Sequence, residues 1–260
     1  MSELFNFIAI HYWGFLFVFL RMSAFFLAFP FLSTPFVPVR VKVVLLLAFS
    51  FFFASSLNLN LLPPKSFLEF SLIALKEITL GFSLALVAYI FYGVVSYAGE
   101  LISYMMGLTV ANLFDPTFGL VSLTGRLFIF TFYLVFFSTG GAEYFVGALY
   151  KSFLLLPVGQ ISLKGSLFKF LLKESSLIFS LGFKMAFPFV FVLFITNLAL
   201  ALVNRLIPQI NVFIVGLPLQ VFVGLLFLSF GFSVIVLFTV NLSQRFLEDL
   251  FILIRVIKGG

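Results

Sequence analysis

The side chains that most often carry out catalysis or bind metals are scarce in this chain. Its 260 residues include no cysteine, a single histidine, His11, and two aspartates, Asp115 and Asp249. Thiol catalysis is therefore excluded, and a zinc site lacks ligands. A serine hydrolase that used His11 as its base would need a G-x-S-x-G turn for the nucleophile, and the sequence has none. Nucleotide-binding glycine loops are missing as well. The sequence therefore predicts a protein that is not an enzyme and uses no cofactor.

Charged side chains in apolar segments offer a different chemistry. Seven of them are candidates for buried pairs in assembly or gating: Arg21, Lys76, Glu77, Glu100, Arg126, Lys184 and Arg205. A charge at the centre of a membrane helix costs roughly 2.5–3.5 kcal/mol on the insertion scale, so each needs a protein partner or water. Lys76 and Glu77 are adjacent and point in different directions. They could form a proton or ion relay, but we favour partners on other helices or a neighbouring chain.

The composition explains why such charges are costly. Hydrophobic residues make up 63% of the chain and charged residues 9%, whereas soluble domains have about 45–50% and about 25%. An integral membrane protein is therefore expected. The net charge of +6 is spread between apolar segments instead of forming a stripe, which indicates positive-inside topology and no nucleic-acid partner.

The apolar segments predict an all-α membrane bundle of helical hairpins. A span needs about 20 apolar residues, and six candidates fall near 8–32, 41–62, 67–92, 127–150, 176–204 and 212–240. A shorter helical segment with one polar face is expected near 94–113, followed by a re-entrant loop. No stretch is long and polar enough to be a linker, so residues 1–260 are expected to form a single membrane domain.

The loop after this polar-faced helix interrupts the apolar pattern. Pro116 disfavours helix at Asp115 and removes a backbone donor, and Gly119 adds freedom. At membrane depth, non-helical backbone is tolerated only inside protein or against a water-filled cavity. The loop is thus expected to line or block an internal passage, unless it is an ordinary exposed turn between two spans.

Three stretches resemble the FliR family, the export-gate membrane proteins of flagellar type III secretion, which have relatives in virulence injectisomes, including the SctT family. They are KEITLGFSLAL (76–86), AGELISYMMGLTVANLFDP (98–116) and NLALALVNRLIPQINVFIVGLPLQ (197–220). The last stretch is the most specific, and the resemblance extends over nearly the whole chain.

The resemblance implies a helical subunit, present in a single copy, that forms a channel with several FliP-type and FliQ-type subunits. FlhB-type and FlhA-type proteins are implied beside it, unfolded flagellar proteins as its cargo, and membrane lipid around it. The implied location is the bacterial inner membrane, within the flagellar basal body.

The resemblance also assigns a channel plug to this sequence. Leu113, Phe114, Asp115 and Pro116 would form it, with Phe114 as the occluding side chain and Met105 and Met106 beside the gate. Two alternatives remain. One is a secondary transporter or ion channel that uses Lys76, Glu77 and Glu100, and the other is a scaffold without a moving gate.

Overall fold

The structure is a computed structural model that describes residues 2–33, 37–57, 61–110, 122–160, 165–207 and 212–259. Within these ranges every regular element is a helix, which confirms the predicted all-α class. The α-helices are α1 (Ser2–Ala28), α2 (Pro30–Ser33), α3 (Val39–Ser56), α4 (Phe67–Met105), α5 (Leu123–Ser138), α6 (Gly141–Leu155), α7 (Gly165–Ser175), α8 (Leu177–Leu206) and α9 (Val212–Gly259). A 3₁₀ turn at Leu108–Val110 follows α4.

Four helical segments of the described chain are long and apolar enough to cross a membrane: Val39–Ser56, Phe67–Met105, Gly165–Leu206 and Ile214–Lys258. A fifth is obtained if α5 and α6 are counted as one broken span. The apolar part of α1, Tyr12–Ala28, is shorter. The membrane character is thus confirmed, whereas the span count differs slightly from the predicted six.

The predicted separation between spans 67–92 and 94–113 is wrong, because α4 runs without interruption from Phe67 to Met105. A glycine inside a helix costs only about 1 kcal/mol, so Gly93 does not end it. A Cβ atom at position 93 would lie 3.1 Å from Ile178 Cδ1, which shows that the glycine sits in a tight contact. The polar-faced segment is therefore the last part of a long helix.

The predicted span 127–150 is instead divided into α5 and α6. The Thr139 hydroxyl donates to the Val135 carbonyl at 2.9 Å at the end of α5, and Gly140 has a φ of 75°. A left-handed residue after a helix is a common way to end it, and glycine adopts that conformation without a Cβ penalty. The sequence analysis did not predict α7, whose eleven residues are too few and too polar for a membrane span.

The chain forms two compact units. The first comprises residues 1–89, 141–174 and 245–260. Phenylalanine rings fill part of its core: Phe29 and Phe145 stack with centroids 4.4 Å apart, and Phe145 also stacks on Phe246 at 6.3 Å.

The second unit comprises residues 90–140 and 175–244. Close helix contacts in this unit depend on glycine, since a Cβ atom at Gly182 would lie 2.9 Å from the Val94 carbonyl oxygen. A Cβ atom at Gly231 would similarly lie 2.5 Å from the Phe189 ring. The helices α4 and α9 contribute residues to both units. The single domain over residues 1–260 stays a prediction.

Candidate functional site

A buried ion pair joins α1 to α4 in the first unit. Arg21 Nε donates to Glu77 Oε2 at 2.6 Å, and both side chains are 0% exposed. The second carboxylate oxygen, Glu77 Oε1, accepts from the backbone N–H of Gly159 at 3.1 Å. Both oxygens of Glu77 are therefore engaged.

The guanidinium of Arg21 makes further contacts with α6 and the turn that follows it. Its Nη2 donates to the Leu156 carbonyl at 3.0 Å, and its Nη1 lies 3.4 Å from the hydroxyl of Ser152. The Phe153 ring covers the guanidinium, with 4.1 Å between its centroid and Arg21 Cζ. A buried charge is tolerated when it is both paired and hydrogen-bonded, and Arg21 meets both conditions.

The close approach of α1 and α4 at this pair requires a glycine. A Cβ atom at position 81 would overlap the carbonyl oxygen of Arg21. Gly81 lies one helical turn after Glu77, on the same face of α4. The glycine thus lets the helices come close enough for the ion pair to form.

The other predicted cations have different surroundings. Lys76 is half-buried, whereas Lys184 and Arg205 are exposed on this chain. Burial of Lys184 and Arg205 within an assembly therefore stays a prediction. Arg126 is half-buried and lies at a groove of about 750 Å³ between α5 and α9, with Phe130 and Phe232 among the apolar lining residues.

The geometry of the Arg21–Glu77 pair indicates what it can do. A proton relay needs a carboxylate oxygen that can be reached by the next proton carrier, but both oxygens of Glu77 are occupied and the side chain is sealed from solvent. This arrangement favours the assembly hypothesis over the relay hypothesis. Among the described residues no three His, Cys, Asp or Glu side chains are grouped so that they could hold a metal ion.

The predicted plug, Leu113 to Pro116, lies outside the described residues, but the structure describes the chain on both sides of it. On the N-terminal side, Met106 is fully buried. A Cβ atom at Gly224 of α9 would lie 2.5 Å from Met106 Cγ. Met106 therefore anchors the start of the loop and does not face open space on this chain, whereas Met105 is half-buried.

The backbone turns directly after Met106. Gly107 has a φ of 74°, a conformation that favours glycine, and a Cβ atom there would lie 2.7 Å from Leu217 Cδ2. The helix therefore ends where its last turn packs on α9.

On the C-terminal side of the loop, Glu100 of α4 holds the first described residue. Its Oε1 accepts from the backbone N–H of Ser122 at 2.7 Å. The Ser122 hydroxyl caps α5 by accepting from the Gly125 N–H at 3.0 Å. Thr124 adds a bond from its hydroxyl to the Gly99 carbonyl at 2.8 Å. The carboxylate of Glu100, predicted as a buried charge, thus fixes the end of the loop.

The most specific stretch of the sequence, residues 197–220, forms the end of α8, a connection and the start of α9. The amide of Gln220 donates to the side-chain oxygen of Asn197, so the first and last residues of the stretch hydrogen-bond to each other across the helical hairpin. The sequence analysis missed both residues, although two amides in apolar helices are a recognisable signal for a bond between helices.

Comparison with known families decides what kind of protein carries these features. The family described as Bacterial export proteins, family 1, matches residues 12–246. The chain belongs to this family.

Individual members of this export family confirm the resemblance that the sequence indicated. Flagellar biosynthetic protein FliR of Aquifex aeolicus is 37% identical over 234 residues, which cover 89% of this chain and 88% of the relative. FliR of Bacillus subtilis is 34% identical over 245 residues, 91% and 93% of the two chains. The Secretion system apparatus protein SsaT of Salmonella typhimurium is 32% identical over 158 residues, 60% and 61% of the two chains.

Proposed function

We propose that this chain is a non-enzymatic subunit of the flagellar type III protein export gate in the bacterial inner membrane. With FliP-type and FliQ-type subunits it forms the channel through which unfolded flagellar proteins leave the cell, beside FlhB-type and FlhA-type proteins. The similarity to two FliR proteins over about nine-tenths of each chain supports this function. The apolar helices support a place in the membrane.

We further propose that residues 113–116 form a plug that keeps the channel closed. The observation that carries this proposal is that the segment 111–121 lies between two fixed points. Met106 is buried against α9 at one end, and the Glu100 carboxylate binds the Ser122 N–H at the other. The large apolar ring of Phe114 in a narrow passage would exclude water and ions, and export would require the plug to move aside while both supporting helices keep their structure.

Replacing Phe114 by alanine in the complex with FliP-type and FliQ-type subunits tests the plug. We expect ion conductance in planar bilayers to rise severalfold, because the alanine methyl group leaves the passage open to water. Phe118→Ala is the matched control, since it removes the same ring from the same segment but outside the predicted plug. Equal conductance of the wild-type and Phe114→Ala complexes, with normal subunit composition, would contradict the plug assignment.

A transporter that uses Lys76, Glu77 and Glu100 is less consistent with the observed contacts. Glu77 is held by Arg21 and Gly159, and Glu100 accepts the backbone N–H of Ser122. Co-purification distinguishes the two functions. Stable association with FliP-type and FliQ-type proteins supports the gate, whereas solute uptake by vesicles that contain this chain alone would support a transporter.

A further inference from the structure

The short helix α7 has three distinct faces. Leu167 and Glu174, seven residues apart, share the inner face and are 1% and 5% exposed. Phe168 and Leu172, four residues apart, share an outward face and are 57% and 74% exposed. Lys169 and Lys173, also four apart, are exposed beside them. Side chains three or four residues apart lie on one side of a helix, so an apolar stripe and a basic stripe run next to each other.

The inner face of α7 is already occupied within the first unit. The carboxylate of Glu174 interacts electrostatically with Asp249 and Arg245 of α9, and Leu167 is sealed in the core. The burial of Leu167 and Glu174 shows which face of α7 points into the unit. The two stripes therefore point away from the body of the unit.

The length of the following helix shows that α7 is not needed to cross a membrane. At 1.5 Å per residue, the 30 residues of α8 extend for about 45 Å, which exceeds the hydrocarbon thickness of about 30 Å. The whole apolar segment Gly165–Leu206 has 42 residues, about twice the number that one membrane span needs. The segment is longer than one crossing needs, and two of its three exposed lysines, Lys169 and Lys173, lie on α7.

We infer that the outward face of α7 is a binding surface for anionic phospholipid. Phe168 and Leu172 insert at the boundary between headgroups and acyl chains, and Lys169 and Lys173 bind the phosphates. A helix with an apolar face of Phe and Leu and a lysine-rich polar face is typical of segments that lie in the membrane interface. Each lysine near an anionic surface contributes further attraction.

The charges favour lipid over a partner protein on this face. Lysine is depleted at protein–protein interfaces and charged residues avoid their buried centres, whereas α7 places two lysines directly beside its apolar stripe. Anionic headgroups attract both lysines at the depth where Phe168 and Leu172 insert. The inference does not depend on the plug or on the proposed export function.

Depth measurements on the full-length chain test the inference. Because the chain has no cysteine, single substitutions Phe168→Cys and Leu172→Cys accept a nitroxide label without background. In vesicles of phosphatidylglycerol and phosphatidylcholine we expect both labels to be relaxed more by oxygen than by a water-soluble nickel chelate. Leu134→Cys on α5 and Lys65→Cys in a connection, both at exposed positions, serve as references for lipid and water.

Two results would overturn the inference. Labels at 168 and 172 that behave like the label at 65 would place this face in water. Labels reached by neither oxygen nor nickel would show that a protein covers it.

The lysines are tested through lipid selectivity. In the double variant Lys169→Gln/Lys173→Gln we expect the preference for spin-labelled phosphatidylglycerol over phosphatidylcholine at this site to fall by up to about fivefold per lysine. Lys184→Gln, which removes an exposed lysine from α8, is the matched control and should leave the preference unchanged. An unaltered preference in the double variant would show that α7 does not bind the anionic headgroup.

Discussion

At the scale of single residues, two neighbours in the sequence have opposite surroundings. Glu77 is 0% exposed and accepts hydrogen bonds from Arg21 and Gly159, whereas Lys76 is half-buried. Successive residues of a helix are rotated by about 100° about its axis. This rotation is enough to turn Lys76 away from the contact with α1 that buries Glu77.

This difference predicts unequal effects of two matched substitutions. Glu77→Gln should lower the free energy of unfolding by about 3–5 kcal/mol, because Arg21 is left buried without a counter-charge. Lys76→Gln should change it by less than about 1 kcal/mol. Reversible unfolding of the detergent-solubilised chain measures both. Similar values for the two variants would show that the ion pair does not stabilise the fold.

At the scale of elements, close helix contacts rest on particular glycines. Gly81 of α4 admits the Arg21 carbonyl of α1, whereas a Cβ atom at Gly147 of α6 would meet nothing within 4 Å. Both glycines lie inside helices, so their backbone propensities are alike. The contact alone distinguishes them.

Alanine at these two positions should therefore act in opposite directions. Gly81→Ala should reduce the thermal stability of the chain, because its methyl group forces α1 and α4 apart. Gly147→Ala should raise the free energy of unfolding by about 0.5–1 kcal/mol through helix propensity. Thermal denaturation followed by helical circular dichroism compares them. Stabilisation by both alanines would mean that the α1–α4 contact is looser than described.

The α8–α9 hairpin can be tested through its amide pair. Asn197→Ala and Gln220→Ala should each destabilise the chain by about 1–3 kcal/mol, because each leaves the other amide without its partner. The double variant should cost less than the sum of the single ones, with a coupling energy of about 0.5–3 kcal/mol. Additive effects in the unfolding experiment would indicate that the two amides act independently.

Helix type could be predicted from the sequence, but helix boundaries could not. Hydropathy is a local property, and it located α3, α8 and the apolar part of α9. Whether a glycine interrupts a helix depends on what packs against it. A Cβ atom at Gly93 of α4 would lie 3.1 Å from Ile178 Cδ1, and because Ile178 is far away in the sequence, no local pattern shows this packing.

At the scale of the whole molecule, the region that matches the family ends before the last helix, α9, does. The matched region is 12–246, yet α9 continues to Gly259. Leu250, Leu253 and Ile257 in this extension are between 0% and 5% exposed. They belong to the core of the first unit, so the end of the chain is part of the fold.

Deleting residues 247–260 should consequently destabilise the protein strongly. Each buried leucine or isoleucine contributes about 1.5–3 kcal/mol, so the loss should exceed that of any single substitution above. Deleting only 258–260 removes an exposed lysine and two glycines and should have little effect. The amount of folded protein recovered from membranes, and its resistance to protease, measure the difference. Equal recovery of both truncations would show that the extension is dispensable.

The candidate site was only partly predictable from the sequence. Arg21, Glu77 and Glu100 could be identified as charges that need partners, because the free energy of placing an ion in an apolar segment is unfavourable wherever it occurs. The partners themselves, such as the Gly159 and Ser122 backbone N–H groups, are remote in the chain and follow only from the packed structure. The plug residues 113–116 came from a family resemblance, and their role stays a prediction.

Because the segment 111–121 is fixed at both ends, it could be cut after the protein has been assembled into a complex. If a recognition sequence for a site-specific protease were placed between them, the cut would leave one stump held by Met106 and the other by Glu100. Neither attachment uses the severed peptide bond. If residues 113–116 form the proposed plug, a channel could therefore be assembled intact and opened afterwards, which would separate defects in assembly from loss of closure.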